Sequence, residues 1–197
     1  MLLYQCMRRI AVVDDNPTER FILRRFLEDA GFEVVAEGSD GSEALALCRL
    51  HSPDLLMMDV KMPGKDGIEA AAEIGRSCPT PIVLLTGCDD EETIKRAAEA
   101  GVMAYLVKPV RAEEIAPAVE LAITRFREFM ELRKENEALK NTIQARKLIE
   151  KAKGLLMERE GLSEADSFTR IRKISMDKRK SMAEVAEVII MAFDKGR

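Results

Sequence analysis

Residues 54–59 read DLLMMD. Four apolar residues in a row, closed by an aspartate, show no alternation between faces. Such a segment must be covered on both sides, as a central strand of a parallel sheet is. Working outward, Ile10 to Val13 is a second continuous apolar run, and it ends in Asp14-Asp15. Pro81 to Thr86 is a third, and Phe32 to Ala36 and Ala104 to Val107 are shorter strands. Helical patterns separate them. Asn16-Pro17-Thr18-Glu19 reads as a helix start, with Asn at N-cap and Pro at N1. Phe21, Ile22, Phe26 and Leu27 give that helix an apolar face, and Gly31 stops it. Further helices are expected over Gly41–Leu50, Ile68–Ser77 and Glu91–Ala100, with a last one after Lys108-Pro109. Alternating strands and helices predict an α/β fold with a doubly wound, five-stranded parallel sheet.

Ligands of such sheets sit at the carboxyl ends of the strands. Strand one ends in Asp14-Asp15, strand three in Asp59, strand four in Thr86 and strand five in Lys108. Three carboxylates at one edge repel unless compensated, and hard oxygen donors suit Mg²⁺. A carboxylate can act as a nucleophile and accept a phosphoryl group. Lys108 can then pair with the phosphate, and Thr86 can hydrogen-bond it.

Residues 8 to about 122 therefore resemble the receiver domain of two-component response regulators, through Val13-Asp14-Asp15, Met58-Asp59-Val60, Leu85-Thr86-Gly87 and Val107-Lys108-Pro109. The resemblance implies a flavodoxin-like receiver over residues 1–122 and Asp59 as phosphoacceptor. It implies Mg²⁺ held by Asp15, by Asp14 largely through water, by Asp59 and by the Lys61 carbonyl. Thr86 and Tyr105 match the family's switch pair, and the Lys108-Pro109 peptide is expected cis. The phosphoryl donor would be a separate sensor histidine kinase.

From Phe129, heptad positions a and d read Phe129, Leu132, Asn136, Leu139 and Ile143. That is a short coiled-coil seam within a linker helix over 123–145, and Asn136 favours a two-stranded register. In a parallel homodimer Glu128 would face Arg133, and Glu135 would face Lys140. A single amphipathic helix packed on its own chain is the simpler alternative.

Residues 146–197 are expected to form a small all-α domain of three helices. Leu148, Ile149, Ala152, Leu155 and Leu156 share one face of the first helix. Lys147, Lys151 and Gly154 share the opposite face, flanked by Arg146 and Lys153. A glycine there either lets a phosphate backbone approach or permits close helix packing. Ser163-Glu164-Ala165-Asp166 and Ser181-Met182-Ala183-Glu184 read as capping boxes for the second and third helices. Phe168, Ile171 and Ile174 are expected inside, with Val185, Val188 and Ile189 packing the third helix.

The stretch IEKAKGLLM at 149–157, with Ala145-Arg146, Leu162-Ser163, Arg172, Ser175-Met176 and Val185-Ala186, is similar to the ANTAR family of antitermination output domains. Ser167 stands where that family usually has Ala, and Lys178 near a frequent Asn. The resemblance implies binding to paired hairpins in nascent RNA. Expected contacts are Arg146, Lys147, Lys151, Lys153, Gly154, Arg172, Lys173, Lys178 and Arg179. The two aromatic residues of the tail, Phe168 and Phe193, read as core, leaving no stacking surface.

Charge supports two jobs in one chain. Residues 1–144 hold 18 Lys+Arg against 26 Asp+Glu, and residues 145–197 hold 13 against 9. A basic tail suits a polyanion. A DNA-binding tail, or one docking an acidic protein partner, is the alternative. Residues 123–197 contain neither His nor Cys, which argues against an enzymatic output. The cysteines at 6, 48, 78 and 88 have no CxxC spacing and the chain has a single His, His51, so a zinc site is not expected. No apolar run approaches a membrane span and MLLYQCMRRI lacks a signal-peptide core, so a cytoplasmic protein is expected.

Overall fold

A computed structural model describes residues 7–87 and 91–194. Cys6 and Cys88 lie outside these residues; Cys48 and Cys78 are free thiols. The elements are β1 (Arg9–Val13), α1 (Pro17–Asp29), β2 (Glu33–Gly38), α2 (Gly41–His51), β3 (Leu55–Asp59) and α3 (Gly67–Ser77). They continue with β4 (Ile82–Thr86), α4 (Glu91–Glu99), β5 (Ala104–Val107), α5 (Ala112–Glu160), α6 (Glu164–Lys178) and α7 (Met182–Asp194). Two units emerge, one up to Met130 and one from Glu131 onward.

In the first unit the five strands form one sheet in the order β2-β1-β3-β4-β5, every neighbour parallel. The expected reading of DLLMMD holds from Leu55 to Asp59, with exposed Asp54 just before the strand. Leu56 and Met58 join the core on one face, with Ala44, Ala71 and Ile74. Leu55 and Met57 join the other, with Leu27, Ile115 and Val119. Alternate residues of a strand point to opposite faces, so a strand covered by helices on both sides must be apolar throughout. The order reverses between β1 and β3, whose carboxyl ends frame the crevice where such sheets bind ligands.

Helix starts follow their caps. Asn16 accepts hydrogen bonds from the amides of Thr18 and Glu19, Asp40 from Ser42, and Asp66 from Glu69. The apolar face expected for α1 needs correction. Leu23 and Leu27 are its buried residues, whereas Phe21 and Ile22 are exposed. Because 3.6 residues complete a turn, the core stripe takes the pair four apart nearest the sheet, and its neighbours face out.

α5 runs unbroken for 49 residues. It therefore spans the boundaries expected at 122 and 145 without a break. Pro117 lies inside it, at an exposed position, so the carbonyl that its missing N–H leaves over can turn to water.

In the second unit Ala152, Leu156, Ile171, Val185, Ala186 and Ile190 form the core, with Leu148, Ile149, Leu155 and Phe193 packed around it. The Ser181–Glu184 capping box is complete, and Ser163 caps α6 without the reciprocal bond to its own amide. Ser163 Oγ accepts from the Asp166 amide at 3.1 Å, and Ser181 Oγ from the Glu184 amide at 3.2 Å. The Glu184 carboxylate accepts in turn from the Ser181 amide at 2.8 Å. Two expected core residues are not core. Phe168 is 42% exposed and Val188 is 65% exposed. Ser167 and Ile171 take the inward arc of α6, and Ala186 and Ile190 join Val185 on that of α7.

Candidate phosphoacceptor site and basic surface

The end of each strand delivers one group to the sheet edge. Asp14, directly after β1, is wholly buried, and Asp59 closes β3 with 7% of its surface exposed. Their carboxylate oxygens and one of the exposed Asp15 lie within 4.8 Å of one another. Lys108, after β5, reaches into this cluster. Its Nζ lies 2.9 Å from Asp14 Oδ2 and 2.7 Å from Asp59 Oδ2. Nζ also lies 2.6 Å from Glu19 Oε2. Glu19 was legible only as a cap of α1. Its reach to Lys108 depends on where α1 lies, which spacing along the chain does not tell.

These contacts set the protonation. Burial pushes the Asp59 carboxyl above the usual carboxylate range, and the Asp14 charge adds to it. Lys108 and the Lys61 amide pull the other way. Burial by itself would lower the Lys108 ammonium. Hydrogen bonds to Asp59, Glu19 and Asp14 instead hold it above its ordinary value, so it stays charged. Two acids and one base buried together are tolerable only because each satisfies the others.

Backbone packing fixes Asp59. A Cβ at Gly67 would collide with the Asp59 carbonyl oxygen, so only glycine lets α3 begin there. The Gly67 amide donates to Val60 O at 2.9 Å. Thr86 is buried at the end of β4. Leu84 pairs with Tyr105 and Thr86 with Val107, which puts Thr86 and Tyr105 on one face of the sheet. Tyr105 is 44% exposed. The Lys108-Pro109 peptide is cis, as expected.

The second unit gathers nothing comparable. Arg146, Lys147, Lys151, Arg172, Lys173, Lys178 and Arg179 are all exposed, and none pairs with a carboxylate of another described residue. Lys153 departs from the expected contact set. Its side chain is 9% exposed, and its ammonium lies 2.7 Å from Glu164 and 3.1 Å from Glu150. The stem lies along the helix–helix junction, and the two acids at its mouth hold the head group. Those hydrogen bonds raise the pKa of Lys153. Gly154 is exposed, and a Cβ there would meet nothing within 4 Å. Close helix packing within the described residues is therefore not its role. The seam residues Phe129, Leu132, Asn136, Leu139 and Ile143 are exposed in the single chain.

The family model of the response regulator receiver domain matches residues 10–120, and that of the ANTAR domain matches residues 137–190. The chain is a response regulator. Its relatives agree along most of its length. It is 45% identical over 183 residues to the transcriptional regulatory protein PdtaR of Mycobacterium tuberculosis, a match covering 93% of this chain and 89% of that protein. It is 36% identical to the chemotaxis protein CheY of Halobacterium salinarum, over 59% of this chain and 98% of that one. Among solved structures, the receiver domain of the putative response regulator NarL of Mycobacterium tuberculosis aligns with a TM-score of 0.57 at 32% identity. That alignment covers 60% of this response regulator and 97% of the NarL domain. With a receiver and an ANTAR domain, this response regulator is a signalling regulator. No helix among its described residues is long and apolar enough to cross a membrane.

Proposed function

We propose that this response regulator is a phosphorylation-gated antiterminator. It takes a phosphoryl group on Asp59 from a sensor histidine kinase and binds paired hairpins in nascent RNA. The observation that carries this reading is the pairing, in one chain, of the Asp14–Asp59–Lys108 cluster with an ANTAR domain in which exposed Arg146, Lys147, Lys151, Arg172, Lys173, Lys178 and Arg179 pair with no carboxylate of a described residue.

In the transfer, an Asp59 carboxylate oxygen attacks the phosphorus of a phosphohistidine. The O–P bond forms as the N–P bond breaks, and the imidazole leaves with the electron pair. Lys108 keeps Asp59 ionised against its burial, then follows the new charge onto the phosphoryl group. The carboxylates of Asp14, Asp15 and Asp59 are hard oxygen donors close together, and with the Lys61 carbonyl they would hold Mg²⁺. Bound there, the ion offsets charge on the phosphoryl oxygens. Thr86 turns its hydroxyl to the phosphate, and Tyr105 leaves its exposed position for the space Thr86 vacates. That movement remodels the face formed by α4, β5 and the start of α5.

The seam from Phe129 to Ile143 pairs two chains in parallel. Its flanking charge pairs contribute about 0.3–0.5 kcal/mol each, so they select orientation rather than supply stability. Sedimentation of the full chain tests it: Leu132→Lys with Leu139→Lys yields monomers if the seam pairs, and leaves the mass unchanged if it does not.

The deciding experiment is RNA binding by the full chain with and without beryllofluoride and Mg²⁺, against a two-hairpin RNA, a scrambled RNA and a DNA duplex. Selective two-hairpin binding that tightens on activation is the expected result. Preference for the DNA duplex, or no preference over scrambled RNA, overturns the RNA reading and leaves the receiver reading intact.

A further inference from the structure

We infer that the outer face of α6 is a stacking platform for an unpaired base, with Phe168 as its ring and Arg172 as its phosphate contact. The inference rests on the RNA-binding reading above and specifies which nucleotide chemistry that surface reads.

Phe168 is the first reason. A phenylalanine in a small helical unit belongs in the core, yet here 42% of it faces out, and Ile171 fills the interior of α6 instead. Its neighbours are the second. Residues three and four apart share a helix face, with Cβ atoms about 5–6 Å apart. Phe168, Arg172 and Met176 follow at that spacing, and Met176 is 69% exposed. Arg179, in the left-handed conformation, caps the end of this face.

Charge decides what the ring meets. Arg172, Lys173 and Arg179 make no ion pair with a described residue. Other cations of the unit do: Arg170 is held by Glu160, Lys153 by Glu150 and Glu164, and Lys180 by Glu184. Glu164, four residues before Phe168 on its face, is held by Lys153. At 100° per residue, the other acids of α6, Asp166 and Asp177, fall on the far side from Phe168. An apolar ring beside unneutralised cations repels a basic partner and suits one that offers a flat π-face next to a negative charge. A nucleotide offers both. In a paired stem the π-faces are already stacked, so the ring selects an unpaired base in a loop or bulge.

The unit then divides its contacts. Lys147, Lys151 and the open Gly154 meet the stem backbone, and Phe168 reads the loop.

The test uses the full chain and a library of two-hairpin RNAs with constant stems and randomised loops. Wild-type protein is expected to enrich particular loops. Phe168→Leu is expected to lose about ten-fold or more in affinity for the enriched RNAs. Its affinity for the same stems closed by an unstructured linker stays unchanged, and Phe168→Tyr restores the loop preference. A 2-aminopurine placed in the enriched loop is quenched on binding to wild type and not to Phe168→Leu. Wild-type-like loop selection by Phe168→Leu overturns the inference while sparing RNA binding. Equal losses on loops and bare stems overturn it too, as does a shift of Phe168→Leu from dimer to monomer. Binding without loop enrichment by wild type overturns the inference as well, and no binding to any member of the library removes the RNA reading itself.

Discussion

Lys108 lies within ion-pair distance of both Asp14 and Asp59 inside the receiver, and the two acids are almost wholly buried. Among the described residues of the second unit the one buried charge, Lys153, is tied off by Glu150 and Glu164, and Arg146, Lys147, Lys151, Arg172, Lys173, Lys178 and Arg179 stand in water without a carboxylate partner. The first arrangement concentrates unfavourable desolvation at one point, where small changes in charge have large consequences. The second spreads weak contacts over a surface, where affinity is a sum of many small terms. A switch and a reader of a polyanion require these opposite designs.

The largest expected effect lies at the concentrated site. Asp59→Asn abolishes phosphoryl uptake, measured with a labelled small-molecule phosphodonor; retained label would refute the assignment. The same substitution stabilises the apo protein. The Asp59 carboxyl is raised on folding, so its ionised form at neutral pH opposes the folded state, and a neutral side chain relieves that cost. A rise in melting temperature is the readout.

Gly67→Ala comes next. The added methyl meets the Asp59 carbonyl oxygen, so α3 must shift. A loss of about 1–3 kcal/mol is expected in urea unfolding, with slower phosphorylation. Unchanged stability would show that the loop yields more easily than its packing indicates.

In the second unit the effects are smaller and leave phosphorylation untouched. The Ser167 hydroxyl is buried and makes no hydrogen bond to a described residue. Ser167→Ala is expected to stabilise that unit by about 1 kcal/mol, read by denaturant unfolding. Destabilisation would mean that the hydroxyl has a partner.

Glu184→Gln gives the smallest effect. Bonds from the Ser181 amide, Lys180 and the Ser181 hydroxyl lower the Glu184 carboxyl from 4.5 to about 2. A depressed carboxylate stabilises the fold above its unfolded value, and that contribution fades as pH falls from 4.5 towards 2. The small stability gap between wild type and Glu184→Gln is therefore expected at pH 7 and absent near pH 2. A gap independent of pH would assign it to lost packing.

The receiver was largely legible in the sequence. A buried parallel strand needs apolar residues on both faces, so DLLMMD and its four companions stood out against the helices between them. The site residues follow strands, and strand ends in such a sheet share one edge, so Asp14, Asp59, Thr86 and Lys108 could be brought together on paper. The second unit was less legible. Its helices are short and apolar over wide arcs, so periodicity placed Ile171 and Leu156 inside but also Phe168 and Val188, which face out. Lys153 read as one more surface cation until the N-terminus of α6 came down beside it.

By itself, the sequence determined the order of elements, the helix caps and the strand-end chemistry, because these depend on neighbours in the chain. Only the tertiary structure decided that Glu19 shares Lys108, that Lys153 is withdrawn from the surface and that Phe168 is offered to it. Each of those outcomes depends on which helix packs where, and on which side chain then wins a limited arc of core.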